Sequence, residues 1–146
     1  MQNYVLMLME NVSILFQSYF MNKIVINTTK APAPIGPYNQ AIISNNMIFI
    51  SGQIPMNPET NELVSGDIET ETHQVMRNLH GILEDAGINF NHVVKTTIFL
   101  SDMNLFARVN EVYGSYFSAD YPARETVAVK GLPKNVNVEI SMIATM

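Results

Sequence analysis

The sequence predicts an α+β domain in which one mixed sheet carries both of its helices on the same face. Two segments repeat apolar residues at helical spacing, and six others are short runs of β-branched and aliphatic residues. They follow one another as β-β-β-α-β-α-β-β, an order without the strict alternation of a doubly wound fold. At 146 residues the chain is long enough for one core and short for two. A sheet covered by helices on one face needs cover on the other, most economically from a copy of the same chain.

Taken in order, Lys23–Asn27 alternates like a short strand. Three prolines and a glycine in Thr28–Tyr38 forbid regular structure and set a fixed, extended loop. Gln40–Ser44 and Met47–Ser51 flank Asn45-Asn46, and asparagine tolerates positive φ, so the pair reads as a β-hairpin. Gly52–Gly66 is turn-rich and expected to be exposed. Val75, Met76, Leu79, Ile82, Leu83 and Ala86 then define one face of a helix. Asp67, Glu69 and Glu71 lie at its N-terminal end, where the helix dipole favours anions, and Gly87 supplies its stop.

Val93–Leu100 is dominated by β-branched residues and reads as a strand. Asp102 is placed to cap a second helix with an apolar stripe from Leu105 to Phe117. Thr126–Val129 and Val136–Ala144 are the closing strands, separated by a turn around Gly131-Leu132-Pro133.

Residues 1–20 stand apart. Met1–Phe20 is apolar with Glu10 as its only charge, and has neither the positive start of a secretory signal nor the arginines of a transit peptide. Gln2, Asn3, Glu10, Asn11 and Gln17 interrupt it too often for a membrane span. Met21-Asn22-Lys23 resembles an ordinary start. Residues 1–20 are therefore expected to be an extension outside the functional domain, which spans 21–146; the other reading is an amphipathic helix packed on the domain or on a neighbouring subunit.

Hydrophobic residues at 47% exclude a disordered chain, and the 14% charged fraction is low enough to suggest surface covered by a partner. The net charge of −5 argues against broad phosphate-backbone binding. Without cysteine there is no disulfide, thiolate metal site or cysteine nucleophile, which fits a reducing, cytoplasmic setting. No glycine-rich phosphate loop is present, and no serine sits in a nucleophile elbow. His73 and His80 are seven apart, not the four of a helical metal pair, so both are expected to be solvated.

Charges inside the strands are more informative. Val136, Val138, Ile140 and Met142 define an apolar face, so Glu139 points the other way with Asn137 and Ser141. Arg124 directly precedes a β-run, whereas Arg77 and Arg108 fall on the helices. Two readings stay open. Arg124 and Glu139 could form a structural ion pair on adjacent strands. Alternatively, the arginine fork holds a planar carboxylate while the glutamate polarises a water.

Five ordered blocks bear on that choice: Ile35–Ala41 (IGPYNQA), Ile50–Pro58 (ISGQIPMNP), Val93–Tyr113, Tyr121–Val129 (YPARETVAV) and Leu132–Ala144. Together they resemble the Rid family (RidA/YjgF) of enamine/imine deaminases from about Ile24 to Ala144. The resemblance implies a chorismate-mutase-like protomer and a homotrimer with sites between subunits. It implies hydrolysis of 2-iminopropanoate and 2-iminobutanoate to 2-keto acids and ammonia, with no cofactor or metal. By the same resemblance, Arg124 grips the substrate carboxylate, Glu139 holds the attacking water and Tyr38 closes the cleft. Ser51 and Gly52 line the pocket, Asn110 is a site asparagine, and Thr126 stands where many members carry cysteine. Glu125 adds a negative charge beside the arginine that is harmless if it points outward. Some relatives have been described as ribonucleases or translation inhibitors, which the net charge disfavours, and a carboxylate-binding sensor is a further alternative.

Overall fold

In the computed structural model, which describes residues 23–118 and 120–146, six strands form one sheet in the order β1-β2-β3-β6-β4-β5. The expectations for residues 1–20 lie outside the described residues. In chain order the elements are β1 (Ile24–Ile26), β2 (Ala41–Ser44), β3 (Met47–Gln53), α1 (Ile68–Asp85), β4 (Val93–Leu100), α2 (Phe106–Gly114), β5 (Ala123–Ala128) and β6 (Val138–Thr145). The predicted order and the mixed sheet are both found. All neighbouring pairs are antiparallel except β4 and β5, which run parallel because α2 carries the chain back between them.

Local chemistry accounts for most boundaries. Asn45 and Asn46 adopt φ of 49° and 63°, the left-handed pair that a two-residue hairpin turn requires, and close β2 onto β3 at Ser44–Met47. The Asp67 side chain accepts a 2.8 Å hydrogen bond from the Thr70 backbone N–H and starts α1. Gly87 at φ 78° ends it, a conformation any Cβ would strain.

Four expectations need correction. Asp102 caps a single 3-10 turn, Met103–Leu105, and α2 begins only at Phe106. Past Gly114 the chain tightens into turns in which the N–H groups of Tyr116 and Phe117 reach carbonyls three residues back. Within Gly52–Gly66, Pro55 and Met56 are buried, because the Asn78 amide on α1 donates to the carbonyls of Ile54 (3.1 Å) and Met56 (2.9 Å). Finally, β5 starts at Ala123, three residues early, since its pairing with β4 already begins at Lys95–Ala123. Arg124 therefore lies inside a strand.

The core sits between the helices and one sheet face. Ile48, Ile50, Ile98, Leu100, Ile140 and Met142 point into it beneath Met76, Leu79 and Leu83 of α1. On the opposite face the register aligns Val25, Ile42, Phe49 and Ile143 across four strands, with Val25 and Phe49 exposed. That stripe is apolar, while toward β4 and β5 the same face carries Lys95, Thr97 and Glu125.

Candidate functional site

Register decides where each candidate residue points, because partners in a ladder share a face. Arg124 is the partner of Thr96, which is fully buried beneath the helices, so Arg124 lies on the helix side of the sheet. Glu139 is the partner of Phe99, one residue out of step with buried Ile98 and Leu100, so it lies on the open side. β4 separates their two strands. The structural ion pair on adjacent strands is therefore not formed: the two residues sit on opposite faces with a strand between them. Neither enters a salt bridge among the described residues.

The Arg124 side is built from β5 and α2. The Arg124 Nη1 donates to Asn110 Oδ1 at 2.8 Å. Its guanidinium carbon lies 5.0 Å from the Tyr113 ring centroid and 5.8 Å from that of Phe106. A cavity of about 450 Å³ opens here, lined by Asn110, Tyr113, Gly114, Tyr121, Pro122 and Arg124. The Tyr113 hydroxyl donates to Thr96 Oγ1 at 3.2 Å, and burial pushes its pKa up. Thr126 is two residues along on the same face as Arg124. Its hydroxyl is buried without a hydrogen-bond partner and does not line this cavity.

The Glu139 side is built from β6, the end of β3 and the proline loop. The β3–β6 register slips between Ile50 and Gln53, so Ser51 and Gly52 bulge toward Glu139. A cavity of about 360 Å³ is lined by Tyr38, Ser51, Gly52 and Glu139 together with Ile35, Ile54 and Pro133. The Ser51 hydroxyl is committed to its own scaffold, donating to the Asn39 carbonyl at 2.7 Å. Gln40, nearly fully buried, ties down the proline loop by donating to the carbonyls of Ala31 (3.0 Å) and Pro32 (2.8 Å). Tyr38 is partly exposed at the cavity edge, its hydroxyl accepting from the Ile35 N–H. No hydrogen bond reaches the Glu139 carboxylate among the described residues, and burial raises its pKa above the usual carboxylate range.

The site residues thus fall into two groups, Arg124 with Asn110 and Glu139 with Tyr38, Ser51 and Gly52. Glu125 points away from Arg124, on the face of its register partner Thr97, and pairs with Lys95. Asn137 departs from the expected alternation: it precedes β6 and donates to the buried Glu71 of α1 at 2.9 Å. Tyr113 and Phe106 were absent from the sequence candidates because their spacing reads as a core stripe. The available signal was that Phe106, Asn110 and Tyr113 share one helix face at i, i+4 and i+7. His80 is exposed as expected, but His73 is not simply solvated, since its Nδ1 lies 2.9 Å from the Tyr116 hydroxyl. Among the described residues no group of three or more histidine and carboxylate side chains is arranged to hold a metal ion, and no helix is long and apolar enough to cross a membrane.

A six-stranded mixed sheet with two helices on one face, and cavities beside Arg124 and Glu139, defines a chorismate-mutase-like α+β domain. The endoribonuclease L-PSP family model matches residues 28–146, and the chain belongs to that family, the Rid (RidA/YjgF) family. It is 54% identical over 124 residues to a RutC family protein of Pyrococcus abyssi, covering 85% of this chain and 98% of that one. A mouse protein named 2-iminobutanoate/2-iminopropanoate deaminase is 50% identical over 120 residues, 82% of this chain and 89% of that one. The solved structure of a Rid-family protein from Yersinia pestis superposes with a TM-score of 0.83 at 48% identity, covering 85% of this chain and 99% of the other.

Proposed function

We propose that this protein hydrolyses 2-imino acids, with 2-iminopropanoate and 2-iminobutanoate as substrates, in clefts between the subunits of a cytoplasmic homotrimer. The observation that carries the proposal is the division of the site: an arginine and a partly desolvated glutamate, neither in a salt bridge among the described residues, occupy opposite faces of one sheet. In the proposed assembly, a neighbouring copy that covers the apolar stripe of the open face brings its own Arg124 side to the Glu139 side of the first. The deaminase relative at 50% identity supports the same chemistry.

In the joined cleft the Arg124 fork holds the substrate carboxylate by two N–H groups, which fixes the imine carbon in place. Glu139 accepts a proton from water as the water oxygen bonds to that carbon, and the imine nitrogen takes a proton to give a carbinolamine. Glu139 returns its proton to the amine nitrogen, the C–N bond breaks as ammonia leaves with its electron pair, and the hydroxyl loses its proton to solvent as the keto group forms, which balances the proton the imine nitrogen took up. A raised carboxylate pKa suits this base, because it holds the proton more readily than a solvated carboxylate. Tyr38 and the apolar edges of Ile35, Ile54 and Pro133 leave room for a short aliphatic side chain. A semicarbazide-trapping assay on freshly generated 2-iminobutanoate tests this. The proposal expects the trapped signal to decay faster with enzyme; unchanged decay together with retained carboxylate binding would make the protein a sensor instead.

A further inference from the structure

Arg124 stands on β5, the edge strand of the sheet, where a long side chain has few neighbours to fix it. Its order comes from α2. Phe106, Asn110 and Tyr113 lie along one face of that helix and meet the guanidinium in succession: the Phe106 ring at 5.8 Å, the Asn110 oxygen at 2.8 Å and the Tyr113 ring at 5.0 Å. Asn110 is the only hydrogen-bond partner of the Arg124 side chain among the described residues and takes one Nη1 proton. The remaining N–H groups are left for a ligand.

The Tyr113 ring is itself held. Its hydroxyl donates to Thr96 Oγ1, and Thr96 is the register partner of Arg124 on the neighbouring strand. One position of the sheet thus fixes both the arginine and the ring beneath it. We infer that Tyr113 and Phe106 are positioning residues that bracket the Arg124 guanidinium and pre-orient its free edge for the carboxylate. The inference rests on the carboxylate-binding role proposed above for Arg124. A bracketed arginine has already lost the side-chain freedom that binding would otherwise cost, so the bracket acts on affinity and not on the chemical step.

The test titrates 2-oxobutanoate, the stable keto product, into the full chain by calorimetry and follows KM and kcat with 2-iminobutanoate. Tyr113→Leu removes the ring, and we expect binding about three- to tenfold weaker, with KM raised in proportion and kcat little changed. Tyr113→Phe keeps the ring and loses only the Thr96 bond, so it should recover most of that affinity while melting at a lower temperature. If Tyr113→Leu does not fold, Phe106→Leu reads the other side of the bracket, with an expected loss of about threefold. A folded Tyr113→Leu or Phe106→Leu with wild-type affinity and KM overturns the inference and leaves the deaminase proposal intact. Wild-type protein that binds 2-oxobutanoate but hydrolyses no imine overturns the deaminase proposal, and the titration still decides the bracket. Wild-type protein that neither binds nor hydrolyses overturns both.

Discussion

The Glu139 carboxylate occupies the space into which a side chain on residue 52 would grow. A Cβ added to Gly52 would meet Oε1 head-on and come within 2.8 Å of Cδ and 3.0 Å of Cγ. Gly52 sits in the β3 bulge, so the strand irregularity and the missing side chain together make the pocket for that carboxylate.

Gly52→Ala should therefore act through Glu139. The carboxylate is the far end of a flexible side chain and can rotate away at a cost of about 1 kcal/mol. Its displacement from the water it is proposed to activate should lower kcat/KM at least tenfold, since misplacement by about 1 Å is costly in a positioned reaction. Steady-state kinetics beside a thermal melt checks this, with a large fall in turnover and a small fall in Tm expected.

Burial raises the pKa of Glu139 and no hydrogen bond among the described residues offsets it, so the native state holds this proton to higher pH than the unfolded chain does. The charged form is thus a liability to folding. Stability contributed at this position is full below the unfolded pKa and is lost as pH rises through the folded one. Glu139→Gln should consequently melt higher than wild type at neutral pH, with the gain vanishing in acid, while its deaminase activity falls. The acid limb of the wild-type kcat/KM profile should lie above the ordinary glutamate range for the same reason.

The buried Thr126 hydroxyl finds no partner among the described residues. Leaving such a group unpaired costs about 1–3 kcal/mol, and valine has the same shape and a high strand propensity. Thr126→Val should gain about 1 kcal/mol in urea unfolding. A loss of that size would show instead that the hydroxyl is paired in the assembled protein.

What the sequence made legible was whatever local chemistry decides. The asparagine pair specified the β2–β3 turn, Asp67 and Gly87 marked the ends of α1, and the alternation of β6 aimed Glu139 away from the core. The position of β6 between β3 and β4 depends on pairings far apart in the chain, which no local pattern encodes. The direction of Arg124 was hidden for the same reason, because it follows from parallel pairing with Thr96 on β4. Ser51 lines the Glu139 cavity and Tyr113 is buried in the core, as their patterns suggest, but their partners are not legible in the sequence. In the fold the Ser51 hydroxyl tethers Asn39, and Tyr113 lies under the arginine. Side-chain partners of this kind exist only once the sheet is assembled.

In the proposed trimer, Arg124 of one copy and Glu139 of another complete each site. Arg124→Ala and Glu139→Gln proteins should each be nearly inactive alone. Mixed in equal amounts and allowed to exchange subunits, they form trimers in which one cleft of three regains both residues. Random assembly then predicts about a quarter of wild-type imine hydrolysis. Recovery near that level is the expected result. A mixture in which mass spectrometry shows hybrid trimers but activity stays at the level of the separate variants would contradict the account.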